Sequence, residues 1–208
     1  MIIAVDGPTA SGKGTISKAL AAHYGLPFLD TGLLYRAIGQ QVALNGGNAD
    51  VAADALAGCA YPDALLDYPV LRNEEVGGLA SRVSVHPAVR TALNQRQVDF
   101  ANQPGGAVLD GRDIGTVIAP HADVKLFVTA SAEVRAHRRY EEMLSRGLDI
   151  DFDDILADIR ARDDRDANRA EAPLKPADDA ILLDTGDLTI GAAVQAAIAA
   201  VEARLRAV

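Results

Sequence analysis

Gly7-Pro8-Thr9-Ala10-Ser11-Gly12-Lys13-Gly14-Thr15 stands directly after the apolar run Ile2-Ile3-Ala4-Val5 and opens a helical pattern. Gly-x-x-x-x-Gly-Lys between a strand and a helix is a phosphate-binding loop in the context it requires. The glycines let the backbone bend so that successive N–H groups point at an anion. The helix N-terminus adds a partial positive charge, and Lys13 would place a full one on the β- and γ-phosphates, where charge builds up during transfer. A glycine-rich turn without a ligand would leave that lysine unexplained. Gly7, Pro8, Thr9, Ala10, Ser11, Gly12, Lys13, Gly14 and Thr15 are therefore expected to hold ATP. The simple pattern places Ser or Thr right after the lysine as a Mg²⁺ ligand. Here Gly14 stands there and Thr15 follows, so waters are expected to carry most of the coordination.

Four more short apolar runs follow this first one: Pro27–Leu29, Ala107–Leu109, Val124–Thr129 and Ala180–Leu183. Each is rich in Val, Ile or Leu and ends in polar residues or glycine, as strands do. Helical patterns separate them at Lys13–His23, Leu33–Ala43 and Ala132–Ser145, and a last one runs from Thr189, an N-cap residue, to about Arg206. Alternating strands and helices predict an α/β fold with a five-stranded parallel sheet flanked by helices. Two stretches break the rhythm. Residues 31–105 show helical segments but no clear core strand and read as an insertion that carries substrate contacts. Residues 138–168 read as two polar helices joined by Ser145-Arg146-Gly147-Leu148-Asp149, poor in core residues, as suits a mobile lid. The core of one domain is then 1–30, 106–137 and 169–208.

Composition narrows the partners. The 208 residues carry a net charge of −9, which disfavours a nucleic-acid polymer or an anionic membrane but not a small nucleotide held by local arginines. The apolar share of 49% with only 4% aromatics suits strands covered by Ala-rich helices. The single cysteine, Cys59, excludes an internal disulfide and reads as a small buried hydrophobe. No leader pattern precedes Ile2, and no apolar run reaches the ~20 residues of a membrane span. A cytoplasmic, monomeric protein is the expectation.

Ligands of such sheets gather beyond the carboxyl ends of the strands. There the second run gives Asp30-Thr31-Gly32-Leu33-Leu34-Tyr35-Arg36, and the planar fork of Arg36 suits a phosphate that must be gripped. The third gives Asp110-Gly111-Arg112-Asp113. Asp110 falls where an acidic residue organises Mg²⁺ or its waters, and Arg112 can reach the same crevice. Salt bridging to Asp110 or Asp113 is the structural alternative. Farther on, Arg162, Asp166 and Arg169 recur at i, i+4 and i+7 and would share one helix face. A solvated face is the ordinary reading of such a run; four arginines gathered within an acidic chain point instead to anions.

In this order, these blocks resemble the cytidylate kinases among the nucleoside monophosphate kinases. Asp110-Gly111-Arg112-Asp113-Ile114-Gly115-Thr116 followed by Arg162-Asp163-Asp164-Arg165-Asp166 is the more specific part; Ala136-His137-Arg138-Arg139 adds to it. The resemblance implies a P-loop kinase fold with a nucleotide-binding insertion and a short lid. It implies phosphorylation of CMP and dCMP by ATP with Mg²⁺, held by Thr15 and Asp110, partly through water. Lys13, Arg112, Arg138 and Arg162 would be catalytic. Asp30, Thr31, Tyr35, Arg36 and Asp110 would line the acceptor site, with Arg36 and Arg112 clamping the acceptor phosphate. Ser81, Arg90 and Asp113 would read the cytosine edge, and Arg162, Asp166 and Arg169 would lie near the pentose. An ionised Asp113 would accept from the cytosine amine and be repelled by the uracil oxygen, a mismatch of roughly 1–3 kcal/mol. Kinases for UMP, AMP or a shikimate- or gluconate-like acceptor, and a nucleotide-gated binding protein, are the alternatives. Cys59–Val76 is shorter than the strand-rich insertion of many bacterial relatives.

Overall fold

The structure, a computed structural model, describes residues 1–207. Five parallel strands form one sheet: β1 (Ile2–Asp6), β2 (Phe28–Asp30), β3 (Ala107–Gly111), β4 (Val124–Thr129) and β5 (Ile181–Asp184), in the order β2-β3-β1-β4-β5. The strands lie within a residue or two of their sequence-based bounds. The central strand is the most apolar, and Ile3, Ala4 and Val5 are fully buried. Its register aligns Ile2 with Ala107 and Val5 with Asp110 on one side, and Ile3 with Val124 on the other.

Helices α1 (Lys13–Tyr24) and α8 (Ile190–Arg206) cover one face. Ile16 and Leu20 of α1 and Ala193, Ala197 and Val201 of α8 pack there against Val5, Val108 and Leu126. The small α8 residues admit close approach to the sheet, which explains why an Ala-rich helix suffices. The opposite face is filled by Ala101 and by Ile114, Ile118 and Ala119, the last three from the turn after β3.

The stretch between β2 and β3 is wholly helical. It holds α2 (Thr31–Leu44), α3 (Ala52–Ala57), α4 (Glu74–Val83) and α5 (Pro87–Ala101), with short 3-10 turns at Asp63–Asp67 and Pro69–Arg72. It has its own apolar centre around Leu34, Ile38, Val42, Val83 and Leu93. Cys59 packs at the edge of that centre, half-buried, so its reading as a small hydrophobe holds only in part.

Helix α6 (Ala132–Ser145) has its sequence-based bounds and runs on into the segment read as a polar lid, which differs from expectation in having a core of its own. With α7 (Phe152–Asn168) it encloses a small core of Ala136, Met143, Ile155 and Ile159, edged by Tyr140 and Phe152. Those apolar residues sit at helical spacing among charges, and the charges mask them in the sequence. A side-chain cap starts each helix: Ser131 Oγ accepts from Val134 N at 3.2 Å and Asp151 Oδ1 from Asp153 N at 2.7 Å.

Candidate active site

All five strands end at one rim, and two cavities open there. The larger, about 910 Å³, runs along the loop between β1 and α1. A Cβ on Gly7 would lie 2.1 Å from the Val128 carbonyl oxygen, so only glycine lets this loop leave the sheet so close to β4. Ala10 holds a left-handed backbone with φ 57° at the top of the loop. Two side chains from elsewhere clamp that shape. Thr185 donates through Oγ1 to the Ser11 carbonyl at 3.0 Å. Arg135, buried, donates to the Thr9 carbonyl at 3.2 Å and the Ala130 carbonyl at 2.9 Å, and grips Asp163 of α7 with both terminal nitrogens at 3.0 and 2.6 Å.

Lys13 begins α1 within the same cavity. Burial first, and then the Arg112 guanidinium, hold its ammonium below the usual lysine range, opposed by Asp110, Asp30 and Asp166. Asp110, at the end of β3, is pushed well above the carboxylate range by burial; Lys13 opposes this and Asp30 adds to it. A Cβ on Gly14 would stand 3.3 Å from Asp110 Oδ2, so the glycine after the lysine brings the carboxylate against the helix start. Asp30 caps α2 by accepting from Leu33 N at 3.1 Å. Thr31 ties the two strand ends together by donating to the Asp110 carbonyl at 2.7 Å.

Asp30, Asp110 and the exposed Thr15 offer oxygen donors only. Among the described residues no three His, Cys, Asp or Glu side chains form a closed metal cage. Such a sparse, hard donor set fits Mg²⁺, which keeps several waters and takes one or two carboxylates with substrate phosphates.

The smaller cavity, about 90 Å³, adjoins the first and gathers the sequence-predicted acceptor residues Thr31, Tyr35, Arg36, Ser81, Arg90, Arg112, Asp113, Arg162, Asp166 and Arg169. Arg90 of α5 pairs with Asp113 Oδ2, and Arg169 approaches Asp113 Oδ1 at 3.7 Å. The Arg90 guanidinium also lies over the Tyr35 ring, 6.0 Å from its centroid. Arg112 pairs with Asp166 at 2.7 Å, not with Asp110 or Asp113 as the local alternative would have it. Arg36 donates to the carbonyls of Leu71 and Asn73 at 2.8 and 2.9 Å, bridging α2 to the chain before α4. Ser81 Oγ accepts from Arg165 at 3.0 Å. Arg162 and Asp166 are buried on one face of α7 as their spacing predicts, while Arg169 caps the helix just beyond its end. Buried guanidinium nitrogens of Arg90, Arg139 and Arg169 lack hydrogen-bond partners, an arrangement that a bound anion or base would satisfy.

Arg138 stands apart from this group. It donates to the Thr185 hydroxyl at 3.0 Å and to the Thr185 carbonyl, at the mouth of the larger cavity. There Leu188 and Ile190 provide an apolar wall; Ile190 is 73% exposed at the start of α8. Sequence reasoning misses this wall, and with it Arg135, Asp163, Thr185 and Glu74. Ile190, just after the Thr189 cap, is the available signal, since an exposed large side chain at a helix start has no core to serve.

A phosphate-binding loop that faces a second, arginine-lined anion site across one crevice defines a phosphoryl-transfer enzyme of the P-loop class. Comparison with known proteins narrows the class. The profile of the family described as "Cytidylate kinase" matches residues 3–203. The cytidylate kinase of Xanthobacter autotrophicus is 58% identical over 204 residues, covering 98% of either chain. That of Caulobacter vibrioides is 53% identical over 203 residues, covering 97% of this chain and 95% of its own. A crystal structure of an uncharacterized protein from Eubacterium ventriosum shares the fold, with a TM-score of 0.56 at 17% identity over 98% of both chains. The chain belongs to the cytidylate kinase family.

Proposed function

We propose that this chain transfers the γ-phosphoryl group of ATP to CMP and dCMP, with Mg²⁺, by in-line displacement. Family membership supports the reaction. One observation carries the choice of acceptor: an arginine and a carboxylate, Arg90 and Asp113, stand side by side in the buried end of the smaller cavity. Cytosine presents an acceptor next to an amine donor. The unpartnered Arg90 Nη1 would donate to the ring nitrogen while Asp113 accepts from the amine. Uracil presents the opposite pair and would meet donor with donor.

The remaining roles follow from position. Arg36 and Arg112 would grip the acceptor phosphate, whose attacking oxygen is already anionic and needs no strong base. Lys13 and the loop N–H groups would hold the β- and γ-phosphates, with Leu188 and Ile190 along the donor base. Asp166 would orient Arg112 and approach the pentose together with Arg169. Arg138 and Arg162, from the helix pair, would close over the transferring group and exclude water. Asp110, Asp30 and Thr15 would hold Mg²⁺, largely through water, and the ion would supply neutralisation of the phosphate charge. Both nucleotide sites are built within one chain, which supports a monomer. No described helix is long and apolar enough to cross a membrane.

A coupled assay of ADP formation with CMP, dCMP, UMP, AMP or no acceptor tests the reading. Fast turnover with the two cytosine nucleotides is expected. Equal turnover with UMP, or ADP formation independent of any acceptor, would overturn it.

A further inference from the structure

Arg139 of α6 and Arg162 of α7 meet on a side chain that belongs to neither helix, with Arg36 of α2 beside them. Glu74, the first residue of α4, places Oε1 2.5 Å from Arg162 Nη2 and accepts from Arg139 through Oε2. Arg162 also donates to the Glu74 carbonyl at 3.2 Å. Arg36 feels the same cluster: burial depresses its guanidinium below the ordinary value, Glu74 opposes that, and Arg162 and Arg139 add to it. The crowding is close. A Cβ on Gly77, one turn along α4, would lie 2.8 Å from Arg36 Nη2 and 2.9 Å from Arg162 Nη1.

Three guanidinium groups gathered this tightly repel one another unless an anion sits among them. Arg162 and Arg139 each have an acid on their own helix, Asp158 at 2.8 Å and Glu142 at 2.7 Å, but Glu74 is the anion common to the cluster. It lines the larger cavity together with Lys13 and Arg112, and its side chain is 29% exposed. A carboxylate and a phosphate ask the same thing of an arginine fork, namely two parallel N–H donors. They cannot both be held at short range, because their own charges repel. A phosphate dianion brings more charge and more oxygens, so it wins the exchange that a monoanion loses.

We infer that Glu74 is the resident counter-ion of the acceptor-phosphate site, holding Arg139 and Arg162 beside Arg36 before CMP arrives and yielding them to its phosphate on binding. The site is thereby preorganised yet weakened toward lesser anions, and phosphate recognition becomes an exchange rather than an addition. Because Arg139 and Arg162 belong to the helix pair while Glu74 belongs to α4, the exchange also takes place at the seam between lid and insertion.

The inference rests on the reading that Arg36 faces the acceptor phosphate and extends it to Arg139 and Arg162, and calorimetry separates the two. CMP and cytidine, which lacks the phosphate, are titrated into the wild-type protein, Glu74→Gln, Glu74→Asp and, as a control, Glu75→Gln, whose glutamate is exposed on the same turn. Wild-type protein should bind CMP far more tightly than cytidine; equal affinities would overturn the acceptor reading itself. Glu74→Gln should bind CMP about tenfold more tightly than wild type, with cytidine unchanged, because no ion pair has to be given up. Glu74→Asp keeps the charge and should stay within about threefold of wild type, as should Glu75→Gln. CMP affinity that is unchanged or weaker in folded Glu74→Gln would sink the counter-ion role alone. So would equal tightening in the Glu74→Gln and Glu74→Asp proteins or in the control, or tightening of cytidine as well.

Discussion

The proposed donor and acceptor halves of this site are built from different material. The donor half is made of backbone: the consecutive residues Gly7 to Thr15 curl into a cradle, and Thr185 and Arg135 fix the curl by taking up its outward carbonyls. The acceptor half is made of side chains from β3, α2, α4, α5 and α7, with each arginine held by a carboxylate or a carbonyl. A backbone cradle recognises any phosphate and specifies little else. A set of converging side chains can read a base, but each member depends on its neighbours for its position.

Substitutions can test that contrast. The largest effect is expected at the one full charge in the donor half. Lys13→Ala should lower kcat by about 10²–10³-fold with the fold intact, measured by coupled assay alongside thermal melting. Undiminished turnover would mean that the backbone cradle alone carries transfer.

Asp6 is the joint between the halves. It ends β1 just before the donor loop, and its carboxylate accepts from Ile114 N and Gly115 N, both at 2.8 Å, directly behind Arg112 and Asp113. Burial raises its pKa to about 6, with those two N–H groups opposing. The folded state therefore binds a proton more tightly than the unfolded chain, whose carboxyl titrates at 3.8. Stability from this group falls as pH rises between those values and stays lost above them, by about 3 kcal/mol. Urea denaturation of wild type and Asp6→Asn from pH 4 to 7 should give curves that diverge by that order. Parallel curves would show that Asp6 is not titrating in the folded protein.

The smaller expected effect probes base reading. Asp113→Asn should reduce the preference for CMP over UMP by about ten- to a hundredfold in kcat/KM. It should also destabilise the fold, since Arg90 and Arg169 lose their shared carboxylate. An unchanged preference would assign base choice to Arg90 and Ser81 instead.

The same contrast governs how much of the molecule is legible in its sequence. The donor half is legible because its residues are contiguous and Gly7 and Gly14 have steric reasons to be glycine. The strands are legible because burial on both faces demands unbroken apolar runs. Arg36, Arg112 and Arg162 can be assigned to one crevice from strand ends and helix spacing, but their partners cannot. The Arg112–Asp166 pair spans 54 residues, and on sequence separation alone a nearer acid, Asp113, is the simpler expectation. Glu74 is invisible for a like reason: an acid at a helix start is ordinary dipole chemistry until the arginines of two distant helices arrive. The small core of the helix pair is hidden by its own charges, and the apolar wall of Leu188 and Ile190 by its brevity.

The sheet order has a further consequence, for assembly. β1 lies at the centre, and its neighbours are β3 and β4. Ile2 pairs with Ala107, across half of the chain. At roughly 5–20 residues per second, the ribosome makes the first strand several seconds before either partner exists. Until then the apolar residues Ile2 to Val5 have no sheet to join, and loop closure over that span is slow to be rewarded. The phosphate loop is thus synthesised well before the strands that seat it.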